Sequence, residues 1–403
     1  MFTAASRTGI ARHTGLLVLA GLLAMTGCKS TSDSRTADSS SPRTARDASL
    51  LDALEREYAI GPRAARSLGY RLGWQAPDAG KTTIRVEPQG DSILVLSGDN
   101  ILKRLTADTG TRLWSASVGS PVAEVLGLTY LPDQQRIYIT RDSSILSLES
   151  ATGVMTSEPG RSPVQELQWI ANTAPVVFDD FLIYGSRAGE LVWQIYSLGH
   201  SFRAYNIGQS VQLTPQLIGD SVIAVATSGE IVVLDAAQVS TRWRHKLLDK
   251  VVAEPGVGAE VVYVASRDQY LRAFDLLSGR LKWRALTEAP LSHSPSVIGR
   301  DVYQLIPGSG LACYEARPVN RYDGRRRWIN PEITGTVLTK RGDNLITWDD
   351  QKRELALVSA STGVVETTVA LPSVRMIVTD NQVNGRIYTL DDRGRLDCLI
   401  PAN

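Results

Sequence analysis

The feature that most constrains this 403-residue chain is a phrase that it repeats. In FDLLSGRLKW, Asp275 precedes Gly279 by four residues and Trp283 follows it by four. The same frame places Thr106, Gly110 and Trp114; Glu149, Gly153 and Ser157; Ile195, Gly199 and Arg203; Asp235, Val239 and Trp243; and Ser359, Gly363 and Thr367. In YEARPVNRYDGRRRW the frame starts at Glu315 but reaches Trp328 five residues late, so one turn carries an insertion. The Trp-equivalent positions lie 39 to 46 residues apart, and a period of that length marks one supersecondary unit repeated.

Before each frame the chain runs apolar or alternates over short stretches with a turn between them, as in DSILVLSGDNILKRL, DSVIAVATSGEIVVL and GRIYTLDDRGRLDCL. β-branched and aromatic residues bounded by Gly, Asp, Asn and Ser make each such stretch a β-hairpin. Eight hairpins are countable, and a strand before and after each gives four-stranded antiparallel blades, the unit of a β-propeller. The eighth hairpin ends at Leu399, too near the C-terminus for its own Gly turn and fourth strand. YRLGWQAP near the N-terminus matches GRLKWRAL, with Trp74 on Trp283, and Trp74 precedes Asp91 by 17 residues as Trp243 precedes Glu260. The N-terminal segment is therefore expected to supply the missing strand. The fold predicted is all-β, an eight-bladed propeller over residues 70–403 closed by its N-terminal segment, which removes exposed strand edges. In that ring Cys313 and Cys398 fall two blades apart, beyond the roughly 7 Å between Cα atoms that a disulfide tolerates, and are expected to be free thiols.

Ahead of the ring, ASLLDALEREYAIGPRAARSLGY sets Leu50, Leu51, Leu54 and Tyr58 on one helical face, with Ser49 and Asp52 spaced as a capping box. This predicts short helices over 49–69, broken near Gly61-Pro62. Residues 28–48 are rich in Ser, Thr and Ala without apolar periodicity and read as a tether. Residues 1–27 carry Arg7, Arg12 and an apolar run from Leu16 to Met25, a secretion leader too short for a permanent span. The run ends in small residues and Cys28, the layout of a bacterial lipoprotein signal. Acylated Cys28 would anchor the chain in a bilayer. Lys29, rather than Asp, after Cys28 resembles lipoproteins sent on to the outer membrane, facing the periplasm.

Loss of Arg7 and Arg12 with the leader would bring the 43 basic residues to 41 against 42 acidic ones. So even a balance argues against a nucleic-acid partner. His200, His245 and His293 lie in different units without metal-ligand spacing. The paired acids Asp179-Asp180, Asp349-Asp350 and Asp391-Asp392 fall in or beside hairpin turns, where Asp bonds its own backbone. The inserted turn of blade six is the local feature that rises above background: Arg317, Arg321, Arg325, Arg326 and Arg327 surround Tyr322. Such a run is ordinarily solvated; as a binding surface it would suit an acidic partner or lipid headgroups. A second aromatic group, Trp193, Tyr196, Phe202 and Tyr205, reads chiefly as packing.

The polar residue, Thr/Ser-Gly turn and Trp in units of this length resemble the repeats of pyrroloquinoline-quinone (PQQ) type propellers. That resemblance implies that Trp74, Trp114, Trp243, Trp283 and Trp328 dock each blade on the turn of the next, with Ser157, Arg203 and Thr367 departing from the pattern. With a lipoprotein leader and no appended domain, the whole chain resembles the propeller lipoproteins of the outer-membrane β-barrel assembly machinery. This implies a non-enzymatic scaffold, without a cofactor, that holds a BamA-like envelope partner and acts as a monomer within a complex. Two other classes share the frame: a periplasmic ligand-binding or sensor propeller, and a PQQ-dependent dehydrogenase. The latter needs a Ca²⁺ site of six to eight oxygens and a catalytic carboxylate, and no such cluster stands out in the sequence.

Overall fold

The computed structural model describes residues 42–77, 79–157, 161–319 and 322–402. Cys28, the leader and most of the expected tether lie outside them, as does Arg321. The chain divides into a unit up to Asp47 and a compact unit from Ala48 to Asn403. Helix α1 spans Pro42–Glu57 and α2 spans Pro62–Ser67. Helix α1 thus begins inside the segment expected to be tether. Pro42 is suited to a first helical position, and the Ala and Arg residues that follow favour helix. Ser49 and Asp52 therefore lie within the helix instead of capping it, and Leu50 is exposed.

Eight four-stranded antiparallel sheets follow one another around a ring. Seven are built from consecutive strands; the eighth orders strand β1 (Tyr70–Ala76) beside Leu396–Pro401, Ile387–Asp391 and Val374–Thr379. The N-terminal strand thus completes the last blade, as the spacing of Trp74 predicts, with Trp74 opposite Cys398 and Tyr70 opposite Pro401. First strands of neighbouring blades touch, so they surround the axis. Second and third strands are almost wholly buried, as in Ser92–Ser97 and Glu230–Asp235, whereas the fourth strand exposes alternate residues on the rim.

Two connections emerge on one face. The residue that opens each third-to-fourth turn donates its N–H to the carbonyl of the first hairpin turn of its own blade, as Ala107 does to Asp91, Ala236 to Asp220 and Ala316 to Arg300. The linkers between blades and the second-to-third turns share the other face, joined by bonds such as Leu247 N–H to Gly229 O. Cys313 and Cys398 are free and fully buried, and burial pushes both thiols up to about 12.

The closing blade also holds the segment after α1. Asp397, without exposed surface, accepts the Ala59 N–H at 2.9 Å and the Gln75 amide at 2.9 Å. Arg395 pairs with buried Asp391 at 2.7 Å and donates to the Glu57 carbonyl. Burial raises the Asp397 carboxyl above its ordinary value despite these bonds.

Candidate functional site

The frame's Trp residues each meet the next blade in one way. A register shift falls beside the Trp in the fourth strand, for instance between the pairs Ala273–Trp283 and Phe274–Leu281. Such a bulge re-aims a side chain. The indole N–H then donates to a turn carbonyl of the following blade: Trp74 to Ala107 at 3.0 Å, Trp114 to Ser150 at 2.7 Å, Trp243 to Leu276 at 2.8 Å, Trp283 to Ala316 at 2.9 Å and Trp328 to Ala360 at 2.9 Å. The ring lies over the turn glycine. A Cβ on Gly363, whose φ is +74°, would sit 2.5 Å from the Trp328 ring, so close approach and left-handed backbone both demand glycine there. At Trp283 the glycine is Gly324, displaced by the blade-six insertion.

At the three blades where the frame lacks Trp, another side chain reaches the equivalent carbonyl. For blade two it is Gln165, whose amide donates to Tyr196 O at 2.7 Å beside Gly199. For blade three it is Trp193, on the third strand directly opposite Arg203, donating to Ala236 O at 2.8 Å. For blade seven it is Arg341, at the end of the first strand, which donates to Ala402 O beside Gly69. The frame points to none of the three. The signal available for Trp193 was its hairpin register with Arg203.

A separate polar bridge near the axis joins blades one and two. Arg85 pairs with Glu87 at 3.4 Å and donates to Leu126 O at 2.7 Å, while Gln89 donates to Leu128 O and accepts the Tyr130 N–H, each at 2.7 Å. Burial raises the Glu87 carboxyl, with Arg85 opposing it.

The blade-six insertion lies along the rim of blade five. Arg284 N–H donates to Tyr322 O and Gly324 N–H to Arg284 O, each at 2.9 Å, a parallel bridge that covers part of blade five's outer edge. Its cations are largely engaged: Arg317 with Glu260 at 2.7 Å, Arg325 with Glu315 at 3.3 Å and Arg327 with Asp301 at 3.2 Å. Arg326 lies beside the Tyr314 hydroxyl, which burial raises and Arg326 opposes. Tyr322 is 81% exposed. The insertion is thus a strand-edge cover carrying an ion-paired basic surface.

The other singled-out groups stay apart. His245 stacks on Phe274 at 5.2 Å and bonds Gly279 O at 2.7 Å. Asp349 and Asp391 accept N–H groups of their own turns, at Gln351 and Lys352 and at Arg393 and Arg395. In the second aromatic group Trp193 and Tyr196 are buried, while Phe202 is 47% exposed against Phe181. Among the described residues no group of three or more His, Cys, Asp or Glu is placed to hold a metal ion.

Against this geometry the comparisons are consistent. The family described as outer membrane protein assembly factor BamB matches residues 179–343, from the first turn of blade three into blade seven. The outer membrane protein assembly factor BamB of Bordetella pertussis is 26% identical over 174 residues, 41% of this chain and 43% of that protein, so the match spans less than half of the relative's length. Among solved structures, BamB from Moraxella catarrhalis superposes with a TM-score of 0.62 at 16% identity, covering 78% of this chain and 93% of that one. The computationally designed Ika8 protein superposes with a TM-score of 0.61 at 12% identity, covering 82% of this chain and 99% of that one. The chain is a PQQ-like β-propeller that resembles BamB.

Proposed function

We propose that this chain is a non-enzymatic scaffold of the cell envelope that serves in assembling β-barrel proteins into the outer membrane. The observation that carries the reading is that two independent likenesses point to one protein: residues 179–343 match the family described as outer membrane protein assembly factor BamB, and a BamB ring superposes on 78% of the chain. Fold alone does not fix function; the sequence match adds the assembly role. In this reading acylated Cys28 holds the ring at the periplasmic side of the outer membrane. The ring grips a BamA-like protein as one monomer within a larger complex, and the blade-docking residues keep its loops in fixed relation.

Depletion of the chain in its own cell tests the role. The abundance of folded β-barrel proteins in the outer membrane is expected to fall while periplasmic soluble proteins keep theirs. Unchanged barrel abundance would remove the assembly role and leave the fold standing.

A further inference from the structure

The face that bears the first hairpin turns and the glycine turns has an uneven charge. Seven of its eight first hairpin turns carry an exposed acid: Asp91, Asp133, Asp179, Asp220, Glu260, Asp343 and Asp380. Blade six instead presents exposed Arg300. Exposed Arg280 and Arg317 and half-buried Lys282 lie beside it on blades five and six. The same two turns expose large apolar side chains, Leu277 at 64% on blade five and Val319 at 80% and Tyr322 at 81% on the blade-six insertion. A cavity of about 410 Å³ lined by Arg280, Lys282, Arg317, Pro318 and Tyr322 joins the two turns, and Arg317 shares the next cavity with Arg300.

We infer that this sector docks on an anionic bilayer surface, its cations against lipid phosphates and its apolar tips in the headgroup layer. Lys282 and Arg317 each hold one carboxylate, Asp275 at 3.0 Å and Glu260 at 2.7 Å. A guanidinium has five N–H donors, so Arg317 keeps capacity for phosphate. Two protruding turns fall short of the about 20 residues a side of a standard protein interface. Shallow insertion of a few apolar and aromatic tips beside cations is instead how peripheral surfaces meet lipid. The acids on the remaining turns are repelled by the same bilayer, so contact is confined to blades five and six and the ring sits tilted. This docking depends neither on the assembly role nor on acylation at Cys28.

The test uses the full chain carrying Cys28→Ala, which removes both the acylation site and a third thiol, and labels it with an environment-sensitive fluorophore at Val319→Cys. Asp133→Cys in the same background, on blade two across the ring, is the control, and the Cys28→Ala chain with its buried Cys313 and Cys398 is the blank. Vesicles of phosphatidylethanolamine with phosphatidylglycerol, and of phosphatidylcholine alone, each carry a nitroxide lipid as quencher. Position 319 is expected to shift blue and be quenched in anionic vesicles, with position 133 unaffected. Arg280→Ser, Arg300→Ser and Arg317→Ser together should weaken the docking equilibrium about fivefold for each Arg removed, with an unchanged thermal midpoint. Equal responses at both positions, a full response in phosphatidylcholine, or no response would overturn the inference. So would a response to inorganic phosphate without vesicles, or one that requires an added acidic protein.

Discussion

Trp283 is the most buried Trp of the frame at 1% exposure, and its indole N–H is committed to Ala316 O. Trp283→Ala should lower the unfolding free energy by about 3–5 kcal/mol, the usual cost of emptying a large aromatic site. Trp283→Phe should cost less, about 1 kcal/mol of it from the lost hydrogen bond. Urea titration of each variant separates the two. Gly363 and Gly342 make a second pair. Both have positive φ, but nothing lies within 4 Å of a Cβ at Gly342. Gly342→Ala should therefore cost only the left-handed backbone penalty of about 1–2 kcal/mol, and Gly363→Ala distinctly more, because Trp328 must move. Equal costs in denaturant would show that the docked ring does not set the demand for glycine. At this scale the frame made Trp74, Trp114, Trp243, Trp283 and Trp328 legible. It could not reveal Gln165, Trp193 or Arg341, because any long donor on an adjoining strand can reach the carbonyl, and contact between strands is not periodic in sequence. The partners of Arg317, Arg325 and Arg327 were hidden for the same reason.

Among the elements, the closing blade was legible because strand β1 repeats both the phrase and the spacing of the internal blades. The start of α1 was not, since a Ser- and Ala-rich segment satisfies tether and helix equally until its neighbours are known. The same blade holds a pH-dependent term. The carboxyl of Asp397 is raised by burial in the folded ring, so the folded state binds its proton more tightly than the unfolded chain does. Its stabilising contribution is complete below the unfolded carboxyl value and is lost as pH rises through the higher folded one. Asp397→Asn keeps an acceptor for the Ala59 N–H if the Gln75 amide flips to accept the Asn NH₂. The variant should match wild type in acid and become the more stable protein as pH rises. Thermal midpoints of both proteins across the acid range check this; a difference that does not change with pH would show that Asp397 is not held as described.

On the scale of the whole molecule, closure is the property on which the rest depends. Eight inter-blade contacts of one kind and one pairing between the chain's two ends leave no blade without neighbours. A chain beginning at Lys81, without β1 and Trp74, exposes the Leu396–Pro401 edge and loses the blade eight to blade one contact. It should aggregate where the full chain stays soluble, as light scattering would show. A ring so closed offers rigid faces for a partner, and the measurement that bears most directly on the account is what those faces hold. Native envelopes solubilised in mild detergent, with the chain captured by a C-terminal tag beside a Cys28→Ala control, are to be read for co-purifying proteins by mass spectrometry. The account predicts a BamA-like outer-membrane protein in near-equal amount to the chain. Capture of the chain with no such protein would contradict it.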